Sequence, residues 1–243
     1  MVEGLTKDEK KAVRKLEWEE KEKKDRHNAT VKKYSIWLGT AVVLILAIIG
    51  MYWLVTSPSP SQQIAIKVAP VSKRDITNGN ASAKITLIEY SDFQCPACAA
   101  YHPIVNQLLK TYGKNLYFIY RMFPLTNVHP NSHIAAQAAY AALKQGKFFD
   151  MADVLFNKQQ EWADLQDTTT AFADYATMLK LDVSKFKTDT NSNEAKKYVN
   201  DSENQAQSEG INATPTFILN GNKINNPQSL DEFKKLIDTE IGK

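Results

Sequence analysis

Twenty consecutive residues set the first limit on how this chain can fold. "IWLGTAVVLILAIIGMYWLV", Ile36 to Val55, contains no charged side chain. At helical rise it would span about 30 Å, the hydrocarbon thickness of a bilayer. Trp37 stands near one end and Tyr52 and Trp53 near the other, where interfacial aromatic belts form. A cleaved signal peptide has a shorter apolar core, about 7–15 residues, and a small-residue exit of Ala-x-Ala type. Neither is present, so the expectation is a single N-terminal transmembrane helix within residues 34–55, contacting lipid through residues 36–55.

The flanks orient that helix. Eleven of the 30 Lys and Arg residues precede Tyr34, and the next basic residue after the apolar run is Lys67. Basic residues stay on the cytoplasmic side. The expectation is a charged cytoplasmic tail at 1–33, a cell-membrane location and an extracytoplasmic remainder. The tail places Glu17, Glu19, Glu20 and Glu22 four residues before Lys21, Lys23, Lys24 and Arg26, pairs that support a solvated helix. "TSPSPSQQ" then reads as a short extended spacer, the start of a linker and lead-in over 56–74. The 188 residues after Val55 balance nineteen basic against nineteen acidic groups. That excludes the electrostatic footprint of nucleic-acid binding.

Both cysteines of the chain lie in "SDFQCPACAAYHP". "ITLIEY" before them is a β-branched, apolar run of strand length. After them the period changes, and Ile104, Val105, Leu108, Leu109 and Tyr112 share one helical face. Pro96 suits the first helical position, and Gly113 follows the last apolar residue as a C-terminal cap. Cys95 therefore sits at the N-cap of a helix that follows a strand. Free N–H groups and a partial positive charge at that end favour a thiolate. The Cys95 pKa should fall below the usual value of about 8.5. Cys98, one turn on, should be more buried and an ordinary thiol. One cysteine is placed to attack and the other to resolve, and the chemistry requires no cofactor.

Other uses of the pair remain open. A zinc site would need two further ligands, and only His129 and His133 offer suitable spacing. A purely structural disulfide would close a very short loop, where the entropic gain is least. No metal is expected. The extracytoplasmic setting suits a redox role.

"ITLIEYSDFQCPAC" resembles the start of the DsbA-like branch of thioredoxin-fold thiol–disulfide oxidoreductases. "YFIYRMFPLTNVHPNSHIAAQAAYAALKQGKFFDMADVLF" (Tyr117 to Phe156) is similar to that family's second strand and inserted helical region. "GINATPTFILNGNKI" (Gly210 to Ile224) is similar to its second active-site loop and terminal hairpin. The resemblance implies an α/β, thioredoxin-like fold over 75–243 with an α-helical subdomain inserted at about 128–208. It implies that Cys95 attacks and Cys98 resolves, with Pro96 and Ala97 as the active-site dipeptide. Pro215 matches the proline whose peptide bond is cis in this fold, and Thr214 would offer backbone groups to an extended substrate. Glu89 matches the family's buried acid, and a carboxyl in so apolar a strand should have a raised pKa.

The implied activity is dithiol–disulfide exchange in exported proteins, most simply disulfide formation, with a membrane redox partner recycling the pair. A reductase or isomerase of the same fold is the alternative, as is a tethered module that binds peptide or metal. Ala97 departs from the pattern in which a histidine precedes the second cysteine. That leaves the helix terminus and backbone to stabilise the thiolate, and the expected pair is less oxidising than the strongest oxidants, about −120 mV against about −270 mV for thioredoxin. No dimerisation device is evident, so a monomer is expected.

Downstream, Gly146 breaks an Ala-rich helix, and two further helical stretches follow up to Gly210. The aromatics Phe148, Phe149, Phe156, Trp162 and Phe172 read as core. Asn220–Gly221 signals a two-residue hairpin turn. Ser229 caps a last helix whose apolar face is Leu230, Phe233, Leu236 and Ile237.

Overall fold

The "ITLIEYS" run forms the middle strand of a five-stranded sheet because both of its faces are covered. The computed structural model describes residues 18, 21–24, 37, 39, 43–51 and 68–242. The strands are β1 (Ile76–Gly79), β2 (Ile85–Ser91), β3 (Leu116–Met122), β4 (Thr216–Leu219) and β5 (Asn222–Lys223), in the order β1-β3-β2-β4-β5. β2 and β3 run parallel, joined by the crossover helix α1 (Pro96–Tyr112), as parallel neighbours require. The remaining pairs are antiparallel.

Strand alternation sorts the side chains. Ile85, Leu87, Leu116, Phe118, Tyr120, Phe217 and Leu219 share one core with Cys98, Val105 and Leu108 of α1. Phe233 and Ile237 of the C-terminal helix α8 (Leu230–Ile241) join them. Ile88, Tyr90, Ile119 and Ile218 point the other way and meet Ala206 and Ile211. Between β3 and β4 the chain builds α2 (Ser132–Leu143), α3 (Phe148–Asn157), α4 (Gln159–Trp162), α5 (Thr169–Met178), α6 (Val183–Thr190) and α7 (Asn193–Ser208). The six alanines of α2 at positions 135, 136, 138, 139, 141 and 142 are buried. Their small size lets α3, α6 and α7 pack around that helix. The Asp182, Ser192 and Ser229 side chains cap α6, α7 and α8, each satisfying an N–H left free at a helix start.

Three details differ from the sequence pattern. β1 lies at the very start of the expected domain, just after the lead-in, where no strand pattern stands out. Gly79 there has φ +96°, and a Cβ would stand 2.2 Å from Leu116 O, so the strand can pair with β3 only through glycine. The helical stretch "TTTAFADYATMLKLDVSKF" is broken into α5 and α6, with Lys180 at φ +58°. α4 is a single turn with no periodicity to reveal it.

Arg121 anchors the second face. Its Nε donates to Asp75 Oδ1 at 2.8 Å, Nη1 to Tyr90 Oη at 2.7 Å and Nη2 to Ala69 O at 3.0 Å. Tyr90 donates to Glu209, which also accepts from Ala69 N–H. This buried network clamps residues 69–75 to the sheet and to the residue that follows α7.

Residues 1–62 and 63–243 form separate units. In the first, residues 43–51 are helical and exposed. No helix among the described residues is long and apolar enough to cross a membrane. Residues 34–36, 38, 40–42 and 52–55 of the expected span, and the spacer at 56–63, lie outside the described residues.

Candidate active site

β2 ends at Ser91, and four residues turn the chain into α1. Asp92, fully buried, organises that turn. Its Oδ1 accepts from Gln94 N–H at 2.8 Å and its carbonyl from Cys95 N–H at 3.1 Å. Its Oδ2 accepts from Leu125 N–H at 2.9 Å and pairs with His129 Nδ1 at 2.7 Å. Cys95 is the N-cap, with φ −73° and ψ 120°, and Pro96 follows as the first helical residue. Cys98 is 0% exposed and Cys95 only 6%. Both are free thiols.

The loop before β4 faces this corner. The Thr214–Pro215 peptide bond is cis, and Cys95 Sγ–H donates to Thr214 O at 3.5 Å. Asn226 Nδ2 holds Pro215 O at 2.8 Å. Glu89 lies on the sheet face that carries Tyr120 and Cys98, so its carboxyl is buried close to the second cysteine. The structure thus brings together Cys95, Cys98, Thr214 and Pro215, with Glu89 behind them.

The two thiols are strongly inequivalent. The hydrogen bond from the Cys98 thiol lowers the Cys95 pKa to about 5, against the opposing effect of burial. The Thr214 hydroxyl, buried and otherwise without a partner, adds to this, as do the Cys98 and Ala97 amides. The partner thiol therefore outranks the helix amides to which the sequence points. Burial, first, and the neighbouring Cys95 and Glu89 push Cys98 far above the ordinary thiol range. Burial also raises Glu89 to about 7, with the Ser91 hydroxyl acting in the opposite direction.

His129 supports the turn through Asp92, and the other two described histidines are engaged elsewhere. His102 pairs with Asp153 at 2.6 Å and packs on Phe156. His133 pairs with Asn200 at 2.7 Å, apart from the His129–Asp92 contact. No group of three or more His, Cys, Asp or Glu among the described residues is arranged to hold a metal. Sequence reading missed the amides around the loop. Gln94 Nε2 donates to Ala163 O at 2.7 Å, and its Oε1 accepts from Asn131 N–H at 2.6 Å. Gln159 Nε2 donates to Phe93 O and Cys95 O. A glutamine in a loop, like Gln94, or at the start of a short helix, like Gln159, carries no signal of such a role.

A strand, a cysteine pair capping the next helix and a cis-proline loop opposite it lie within residues 71–239, the stretch that matches the thioredoxin family model. The chain belongs to the thioredoxin family. Among solved structures of that fold, BdbD from Bacillus subtilis is 24% identical with a TM-score of 0.66, covering 74% of this chain and 99% of that one. Wolbachia pipientis alpha-DsbA1 is 24% identical with a TM-score of 0.63, covering 71% and 93%. The catalytic domain of Proteus mirabilis ScsC is 17% identical with a TM-score of 0.59, covering 71% of this chain and 92% of that one. The thioredoxin-family fold here is therefore the one found in DsbA-like thiol–disulfide oxidoreductases. Curated relatives include proteins named Na(+)/H(+) antiporter NhaA 1, from Mycobacterium sp. (strain KMS) and Mycolicibacterium gilvum. They are 34% and 33% identical over 175 and 190 residues. The aligned stretch is 70% and 76% of this chain but only 27% and 30% of those proteins.

Proposed function

We propose that this chain is a membrane-anchored, extracytoplasmic thiol–disulfide oxidoreductase that forms disulfides in exported proteins. The carrying observation is the pair itself: a thiol lowered to about 5 beside the cis-proline loop, with a much weaker acid three residues on. A structural disulfide has no need of that asymmetry. Exchange chemistry does, because the low-pKa sulfur is the better leaving group.

In the oxidising direction the cycle begins with a Cys95–Cys98 disulfide. A substrate thiolate attacks Cys95 Sγ, the S–S bond breaks, and its electron pair leaves on Cys98 Sγ. Cys98 is too weak an acid to remain a thiolate, so it takes a proton. Glu89, about half protonated near neutrality because burial raises its pKa to about 7, is the buried acid whose charge Cys98 senses and is the source we assign to that proton. A second substrate thiolate then attacks the substrate sulfur of the mixed disulfide and expels the Cys95 thiolate. The substrate loses two electrons and the enzyme gains them. Thr214 and Pro215 present backbone groups along the path of the bound peptide. A membrane redox partner removes the two electrons to restore the disulfide. Stabilising the reduced enzyme through its thiolate makes the disulfide more oxidising, which favours the oxidase direction.

Anchoring rests on the apolar run at 36–55 and the basic residues before it, giving a cytoplasmic N-terminus and a single pass. The deciding experiment equilibrates the full chain against glutathione buffers. A potential near or above about −180 mV supports the oxidant, and one near about −270 mV makes it a reductase. Absence of any reversible two-electron couple would overturn the redox reading.

A further inference from the structure

One buried side chain from the helical insertion grips the backbone on both sides of Gln94, up to the nucleophile itself. Gln159 opens α4 and is 64 positions from Cys95. Its Nε2 lies 2.8 Å from Phe93 O and 3.1 Å from Cys95 O. A primary amide has two N–H groups, and here each has a carbonyl to meet. The two acceptors are two residues apart, so the Phe93–Cys95 segment is curled around a single side chain. Cys95 O also accepts Ala99 N–H at 3.1 Å, the bond that starts α1. Gln159 therefore holds the junction of loop and helix from a separate element.

We propose that Gln159 is a positioning residue for Cys95: by clamping the carbonyls of Phe93 and Cys95, it fixes how the first turn of α1 meets the nucleophile sulfur. The proposal rests on the redox reading above. Cys95 Sγ and the clamped carbonyl leave the same residue, so locking one restricts the other. The Ala97 and Cys98 amides reach the sulfur only while the cap keeps its extended ψ of 120°. Gln94, by contrast, spends its side chain on Ala163 and Asn131 and leaves the Cys95 backbone alone.

The test uses the full chain with Gln159→Met, which has similar length and no donor. Gln159→Glu keeps the size and loses at least one donor. Gln160→Met alters the exposed neighbour as a control. Thiolate ultraviolet absorbance against pH, equilibrium with glutathione and thermal melting are read for each. Gln159→Met should raise the Cys95 titration midpoint by about half to one pH unit. It should lower the equilibrium constant against glutathione by about 3–10-fold, about 15–30 mV towards reducing potentials at roughly 29.6 mV per tenfold. Gln159→Glu should move both in the same direction and Gln160→Met neither. If Gln159→Met does not fold, the Glu variant decides by the same signs. A wild-type midpoint and equilibrium constant in the Gln159 variants, whatever their melting temperature, would reduce Gln159 to packing and overturn the proposal. A wild-type chain without a reversible couple would instead sink the redox reading, and the positioning role with it.

Discussion

Glu89 is buried on the sheet face that carries Cys98, and burial raises its pKa from 4.5 to about 7. The folded protein thus binds this proton more tightly than the unfolded chain does. The stability it contributes is complete below about pH 4.5 and is lost as pH rises through about 7. At about 1.4 kcal/mol per tenfold in proton affinity, the loss amounts to about 3 kcal/mol. Glu89→Gln keeps the shape and removes the titration. Urea unfolding of both reduced proteins across pH gives two stability profiles, and subtracting them cancels groups that titrate alike in each. Wild type minus variant should fall by about 3 kcal/mol between about pH 4 and about pH 8. A difference that stays flat within about 0.5 kcal/mol would refute the burial argument, since it would require a carboxylate that ionises in the fold as readily as in water.

Three further outcomes follow from the same geometry. Cys95→Ser should abolish exchange with a dithiol substrate, whereas Cys98→Ser should still attack and accumulate a mixed disulfide visible by mass spectrometry; the reverse pattern would assign the nucleophile to Cys98. Alkylation of the reduced chain should occur at Cys95, with a rate nearly constant above about pH 6 and falling below about pH 5 as the thiolate protonates; a midpoint near the ordinary thiol range would contradict the lowered pKa. Arg121→Met should cost about 3–5 kcal/mol in urea unfolding, because it leaves Asp75 and Glu209 buried without their cation; a loss below about 1 kcal/mol would show that water screens the network.

Features built from neighbours were readable in advance. Pro96 and Gly113 bound α1 at residues 96–112 as their backbone preferences require. Asn220 and Gly221 take the positive φ values, 47° and 82°, that a two-residue hairpin demands. Ser229 caps α8 through Glu232 N–H. β1 was not readable, because only one of its four residues is buried and no alternation marks it. Nor was the break at Lys180, where a lysine adopts a conformation that glycine usually takes.

The sequence alone determined that a thiol pair stands at the start of a helix after a strand, since a cap, a proline and a period change all act within a few residues. It also determined the apolar run and its basic flank, which depend only on composition along the chain. Only the tertiary structure decided what surrounds the sulfurs. Thr214 reaches Cys95 across 119 positions and Gln159 across 64, while Glu89 comes to lie near Cys98 through the facing of β2 against α1. Such contacts arise from which apolar faces pack together, and a polar group brought along by that packing leaves no local trace in the chain.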